Sequence, residues 1–271
     1  MFDTYRNRWG LEPDGEPIVT HSSSLLPVRR GDERAMLKVA HSEEERRGAA
    51  VLAWWGGEGG QGAARVLAHA GDAVLMERAV GTASLVAMAR SGEAGDDVAS
   101  RILCAAVAPL HARGDRPVAG ALVPLRRWFS ELEPAAARHG GVLRQSAGAA
   151  RDLLAQPRDV AVLHGDLHHG NVLDFGARGW LAIDPKGLLG ERGFDFANIF
   201  CNPDLEVATA PGRLARQARV VAEVAGLERG RLLRWVLAYA GLSATWTLGN
   251  GDHPELALAV AELAAAELAK P

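Results

Sequence analysis

The residues of this chain best suited to chemistry lie in one stretch, His164-Gly165-Asp166-Leu167-His168-His169-Gly170-Asn171, which runs into the apolar pair Val172-Leu173. A second apolar run, residues 180–183, delivers Asp184. Two carboxylates and a neutral amide in this order suit phosphoryl transfer. That reaction asks little covalent chemistry of a protein and depends on positioning and charge neutralisation. One carboxylate must orient an attacking hydroxyl and accept its proton, and Asp166 fits that role. Mg²⁺ prefers hard oxygen ligands, commonly one or two carboxylates beside substrate phosphates. Asn171 fits as the neutral metal ligand and Asp184 as the metal carboxylate, and a hairpin between them brings the two together. The bland alternative is a silent loop that carries Asp and Asn by chance. Residue type, order and strand context argue against it.

The elements that must position these groups are legible in outline. Residues 16–40 read as strand-rich, with apolar runs at 18–19, 25–28 and 35–39 and a turn at Arg30-Gly31-Asp32. Ser42 ahead of three glutamates reads as a helix N-cap with Glu45 at the capping-box position. That helix should run to about Trp55 and stop at Gly56-Gly57. Residues 59–63 read as a loop, and 64–68 and 73–77 as two strands about a Gly71-Asp72 turn. Beyond Gly81, Ala- and Leu-rich segments at helical spacing fill 84–89, 96–111, 125–137, 143–155, 214–225, 229–248 and 254–269. The strand-turn-strand unit 160–184 interrupts them. The expected fold class is α+β and bilobal: residues 1–79 form a strand-rich lobe with one helix, and residues 80–271 a mainly helical lobe that carries the loop with Asp166.

Totals narrow the partners. Of 271 residues, 48% are hydrophobic and 23% charged, enough for a real core, and the net charge is −3. Without a basic excess, nucleic acid is not an expected partner. Cys104 and Cys201 stand far apart with no CxxC neighbour, so neither a disulfide framework nor a zinc site is expected and a reducing cytosol fits. Residues 1–10 carry no apolar segment of a secretory signal. The apolar stretch 235–248 is too short for a membrane span and reads as a buried helix. The expected setting is cytoplasmic, away from membranes, with a small molecule as the partner.

The H-G-D-x-x-x-x-N stretch followed by I-D-P resembles the catalytic segment of the aminoglycoside phosphotransferase family, which shares the protein-kinase-like fold. The likeness extends along the chain: Trp54-Trp55, residues 61–66, Leu75-Met76-Glu77-Arg78, residues 164–176, 179–185 and 187–192, and Ala197-Asn198-Ile199-Phe200. These are most similar to its streptomycin 6-phosphotransferase branch, often described as aminoglycoside/hydroxyurea resistance kinases. The resemblance implies ATP, Mg²⁺ and O-phosphorylation of streptomycin at the 6-hydroxyl, a route to antibiotic resistance.

That fold also needs a strand lysine for the α- and β-phosphates and a helix glutamate to orient it. Lys38, alone among apolar residues in 35–40, fits the first; a solvated edge lysine is the alternative. Glu45 fits the second, with Glu44 as its rival. No G-x-G-x-x-G is present, and the corresponding turn is residues 20–25, where Ser22, Ser23 and Ser24 either meet phosphates or form a polar hairpin. The backbone of Glu77 and Ala79 would pair with adenine. By the same resemblance Asp195 braces the catalytic loop, alongside His164, and His111 is structural. His168 and His169 lack a third ligand for a metal and read as loop packing or substrate contact. Lys186 stands two residues after Asp184, where it would help neutralise the transferring phosphate, would repel a dicationic acceptor if it points into that cleft, or would simply point to solvent. A guanidinium-bearing acceptor calls for carboxylates and aromatic faces. Candidates are Glu191, Asp204, Trp235, Trp246, Asp252 and Glu255, each equally readable as core, turn or cap. Two other functions fit this reading: the same reaction on another small hydroxylated metabolite or antibiotic, and nucleotide binding without turnover.

Overall fold

Strand alternation sets the first layer of the fold. The computed structural model describes residues 1–57, 61–112 and 122–270, so residues 59 and 60 of the expected loop 59–63 lie outside the described residues. Helix α1 (Phe2–Trp9) precedes β1 (Glu12–Pro13), β2 (Ile18–Val19), β3 (Ser23–Arg30) and β4 (Glu33–Ala40). Helix α2 (Glu43–Trp55), β5 (Val66–Ala70) and β6 (Ala73–Glu77) follow. Among the described residues these strands form one antiparallel sheet ordered β1-β3-β4-β6-β5, with β2 beside β3. In β4, Ala35, Leu37 and Val39 join a small core that Phe2, Tyr5 and Trp9 of α1 pack against. Side chains alternate along a strand, so Lys38 points to the opposite face. There it meets α2 through Glu45.

Two features of this part depart from the sequence reading. It holds a second helix, α1, whose three aromatics at i, i+3 and i+7 pack on the sheet from an otherwise charged segment. The strand expected over 64–68 begins at Val66 instead. Residues 63 and 64 are taken by the distant hairpin: Ala63 bridges Ala182, and the Ala64 N–H donates to the Ala182 carbonyl at 2.9 Å.

The chain then turns helical. Helices α3 (Leu85–Arg90) and α4 (Glu93–His111) lead to β7 (Val123–Pro124), α5 (Leu125–Trp128), α6 (Leu132–His139) and α7 (Val142–Ala155). Strands β8 (Val160–Leu163), β9 (Val172–Asp174), β10 (Trp180–Ala182) and β11 (Leu188–Glu191) come next. Helices α8 (Leu205–Ala208), α9 (Arg213–Ala225), α10 (Arg229–Gly249) and α11 (Glu255–Leu268) complete the fold. The helix expected over 125–137 is two helices. Pro134 has no N–H to give residue 130, so the helix restarts and carries the proline in its first turn. At the break, Phe129 packs edge-on against Phe194, with ring centroids 5.7 Å apart.

The central helices α4, α7, α10 and α11 share one large core with Val51, Leu52 and Trp55 of α2. Helix α2 is therefore tied to both parts of the molecule. Strands β9 and β10 form the hairpin between Asn171 and Asp184, while β11 lies between β7 and β8. Among the described residues no helix is long and apolar enough to cross a membrane.

Candidate active site

The loop between β8 and β9 carries Asp166 and is held from beneath. Asp195 accepts the backbone N–H groups of His164 and Gly165, each at 2.8 Å, and is met by His111 Nε2 at 2.7 Å. Gly165 has φ +81, and an added Cβ would come within 3.0 Å of Leu188 and Lys186. Only glycine adopts this turn without strain. The His164 ring stacks on Trp55 and spans the hairpin. Its Nε2 donates to the Ile183 carbonyl at 2.8 Å, which leaves Nδ1 to accept the Asp166 N–H at 3.2 Å.

Asp166 is gripped by two amides. Asn198 donates to Oδ1 at 2.9 Å, and the Asn171 nitrogen lies 3.3 Å from Oδ2 and 2.9 Å from the Asp166 carbonyl. With its nitrogen so occupied, Asn171 has its side-chain oxygen left to coordinate a cation. Asp184 sits at φ 61, a left-handed conformation uncommon for a residue other than glycine. Such strain persists where the surroundings over-determine it. Burial works to raise the Asp184 pKa, but the Lys38 ammonium, with help from Lys186, holds the carboxyl below its ordinary value. One carboxylate and one amide oxygen form the hard donor set that Mg²⁺ takes beside phosphates.

Lys38 pairs with both Glu45 and Asp184. Glu45 lies in the first turn of α2, where its N–H donates to the Ser42 cap at 3.3 Å. Its buried carboxylate also receives Lys186 Nζ at 3.2 Å and the Ser22 hydroxyl at 3.1 Å. Glu44, the rival, pairs with Lys186 at 3.3 Å and not with Lys38.

The other expected residues divide. Ser22 reaches the site through Glu45, but Ser23 and Ser24 are buried in β3 and turn elsewhere. The Ser23 hydroxyl meets Thr20 Oγ1 at 3.1 Å and that of Ser24 meets His41 at 3.1 Å, so neither side chain is free for phosphate. The Glu77 carboxylate is held by the Arg65 N–H and by Arg178, and its own N–H donates to the Arg65 carbonyl. Among the described residues nothing accepts from the Ala79 N–H. Ala79, Leu173 and Ile183 pack around an apolar cluster of Ala64, Phe175 and Leu181.

A cavity of about 1280 Å³ opens beside Asp166 and Gly165. Lys186, Trp128, Glu131, Tyr239 and Trp246 line it, with Trp128 and Trp246 edge-to-face at 5.4 Å. Trp246 is thus placed as an acceptor contact would be; Glu191 and Asp252 are not. Glu191 is buried away from the cavity and accepts from Arg231 Nε at 2.6 Å, Trp235 Nε1 at 2.8 Å and the Arg158 N–H at 2.9 Å. A carboxylate so saturated serves the packing of α10. Asp252 is exposed in the turn after α10 and is not among the described residues that line the cavity. Trp235 is core, Asp204 caps α8 and Glu255 opens α11. His168 accepts the Gly170 N–H at 3.0 Å and stands 3.9 Å from Asp166. Burial pushes the His169 pKa down to about 4, and among the described residues no cluster of three or more ligand-type side chains could hold a metal.

Asn198 stands in a run that carries the family resemblance but has no role assigned from the sequence, because no spacing rule marks an amide that arrives from a separate 3₁₀ turn.

The fold and this grouping of lysine, glutamate, aspartates and asparagine define an ATP-dependent phosphotransferase on the protein-kinase-like plan. The chain belongs to the aminoglycoside/hydroxyurea antibiotic resistance kinase family, whose sequence model matches residues 8–251. It is 55% identical over 249 residues to a streptomycin 3''-kinase of Klebsiella pneumoniae, covering 90% of this chain and 91% of that protein. It is 34% identical over 282 residues to a streptomycin 6-kinase of Streptomyces griseus, covering 98% and 87%. Its fold is similar to that of aminoglycoside phosphotransferase APH(4)-Ia, solved as a thermostable mutant with ADP and hygromycin B. There the TM-score is 0.67 at 13% identity, over 99% of this chain and 98% of the other.

Proposed function

We propose that this protein transfers the γ-phosphoryl group of ATP to a hydroxyl of streptomycin, with Mg²⁺, and so confers resistance to the drug. One observation carries the reaction: Asp166, gripped by two amides, borders the large cavity together with Lys186, whose ion pair with Glu45 joins that wall to the Lys38–Glu45–Asp184 cluster. Residues 1–79 serve as the nucleotide-binding lobe and 80–271 as the catalytic and acceptor lobe. Adenine rests on the apolar cluster around Phe175, with the Ala79 N–H as a donor to the base. Lys38, oriented by Glu45, faces the α- and β-phosphates. Asp184 and the Asn171 oxygen hold Mg²⁺, which neutralises phosphate charge when bound.

The acceptor hydroxyl lies against Asp166. Its oxygen forms the new bond to phosphorus, its proton passes to the Asp166 carboxylate, and the bond from phosphorus to the bridging oxygen breaks, so that ADP leaves with the electron pair. The amides of Asn198 and Asn171 keep the carboxylate in place. Trp246 and Trp128 offer aromatic faces, and Glu131 a carboxylate, to a cationic acceptor.

For the position modified, the 55% identity to a 3''-kinase favours the 3''-hydroxyl. The second reading, the 6-hydroxyl expected from the sequence resemblance, is favoured by 34% identity to a 6-kinase. The test incubates purified protein with ATP, Mg²⁺ and streptomycin and locates any added phosphate by fragment mass analysis. One phosphate on the drug supports the acceptor, and its fragment decides between the positions. A protein that binds Mg²⁺-ATP yet leaves streptomycin unmodified sinks the acceptor assignment.

A further inference from the structure

Lys186 is a second cation at a site whose phosphate lysine is already supplied by Lys38. The carboxylate of Glu45 lies between the two ammonium groups: Oε2 pairs with Lys38, and Oε1 stands 3.2 Å from Lys186 Nζ. Glu44 Oε1 adds a further contact to Lys186 at 3.3 Å. The two lysines differ in what they face. Lys38 projects from β4 and reaches Asp184 on the side of the sheet. Lys186 lines the acceptor cavity together with Asp166 and Gly165. Its backbone is fixed as well, since its N–H donates to the His164 carbonyl at 2.7 Å and its carbonyl accepts from Arg47 at 3.1 Å. The ammonium is thus held by an anchored backbone and by two carboxylates of α2, within the field of both Asp166 and Asp184.

We infer that Lys186 is a second phosphate-binding lysine, one that meets the transferred phosphoryl group from the acceptor side. The inference rests on the phosphotransferase reading above and adds to it. Charge spreads over the equatorial oxygens of the phosphoryl group as it moves from ADP toward the acceptor oxygen. A cation on the acceptor side gains most when the group is in transit, whereas Lys38 serves the nucleotide in every state. Interactions stronger in the transition state than in the ground state are the ones that accelerate the step. In the resting site Glu44 and Glu45 neutralise Lys186, so a cationic acceptor meets a paired ammonium and not a free one.

The test compares binding of Mg²⁺-ADP alone with binding of Mg²⁺-ADP plus aluminium fluoride, which stands in for the phosphoryl group in transit, by calorimetric titration. In the wild-type protein the fluoride should tighten ADP binding. Lys186→Met should leave Mg²⁺-ADP affinity within about threefold, abolish most of the tightening, and lower kcat for transfer by roughly 10²-fold, the scale for one electrostatic donor. Glu44→Gln loosens Lys186 without removing it and should keep the tightening. Full tightening in Lys186→Met overturns the inference while leaving the kinase reading intact. Equal loss of tightening in Glu44→Gln and Lys186→Met also overturns it, because Lys186 would then act only by bracing α2. A wild-type protein that fails to bind Mg²⁺-ADP overturns the kinase reading itself, and this inference with it.

Discussion

Asp166 is held in place by the amides of Asn198 and Asn171, and its proposed role as general base is tested by removing it. Asp166→Ala should lower turnover by roughly 10²- to 10⁴-fold, the range for a lost general base, while Mg²⁺-ATP binding persists. Unchanged turnover in that variant would sink the assignment. Asn198 tests the grip itself, because its amide donates to Oδ1 at 2.9 Å and is in turn held by Asn202 at 2.9 Å. A hydrogen bond to a charged group contributes about 1.5–3 kcal/mol, which corresponds to roughly 10- to 150-fold. Asn198→Ala should therefore reduce kcat by that order with KM for ATP unchanged. A rise in KM for ATP with kcat intact would assign Asn198 to nucleotide binding instead. That Asp166, Asn171 and Asp184 come together was legible because one continuous loop and hairpin joins them. Asn198 was not, because its contact with Asp166 is made across 32 residues of chain. Glu191 and Asp252 misled for a related reason: acidic residues after the catalytic segment look alike in sequence, and only packing decides which of them reach the cavity.

At the scale of elements, α2 is the joint on which the site turns. Its start was legible because a serine cap and three glutamates announce it, and its buried face because Gly48, Leu52 and Trp55 recur at helical spacing. What lies against that face was not legible. An added Cβ at Gly48 would stand 1.9 Å from the Pro185 carbonyl oxygen, in the segment that joins Asp184 to Lys186. The obstacle is backbone, so Gly48→Ala must push α2 and the segment after Asp184 apart. Overpacking of this kind typically costs about 1–3 kcal/mol. The displacement should also separate Glu45 from Lys38 and Lys186, and Mg²⁺-ATP affinity should fall on the order of tenfold. Calorimetric titration checks this, and wild-type affinity with a wild-type melting temperature would show that α2 can yield. Short strands such as β7 and β11 were invisible in the sequence because two to four residues carry too little periodicity to stand out. The break between α5 and α6 has a sequence signal in Pro134, hidden by the apolar spacing that runs through it.

At the scale of the whole molecule, the Asp166 carboxylate is supported from deep in the helical core. Arg213 of α9 donates to both carboxylate oxygens of Asp96 in α4, each at 2.9 Å, and to the Asn202 carbonyl at 2.9 Å. Asp96 is completed by Arg216 at 2.8 Å, and Gln217 continues the network to Ser100 at 2.9 Å. Through Asn202 and Asn198 this buried pair reaches Asp166. Breaking a buried ion pair by removing one partner typically costs about 3–5 kcal/mol. The lower end applies to Arg213→Met, because Arg216 still meets Asp96. Two thiols report the consequence. Burial pushes the pKa of Cys104 and of Cys201 up to about 12, so both should resist alkylation in the folded protein. Cys201 closes the 3₁₀ turn that carries Asn198, next to the Phe200 carbonyl that Arg213 approaches at 3.4 Å. When opening and closing are fast, labelling follows the population of the open form. A loss of about 3 kcal/mol raises that population roughly 10²-fold. Arg213→Met should therefore speed labelling of Cys201 by about that factor and lower kcat in the fraction that remains folded. Labelling that stays at the wild-type rate while kcat falls would mean that the network positions Asp166 without stabilising the core. Faster labelling with full activity in the folded fraction would sever the proposed line from Arg213 to Asp166.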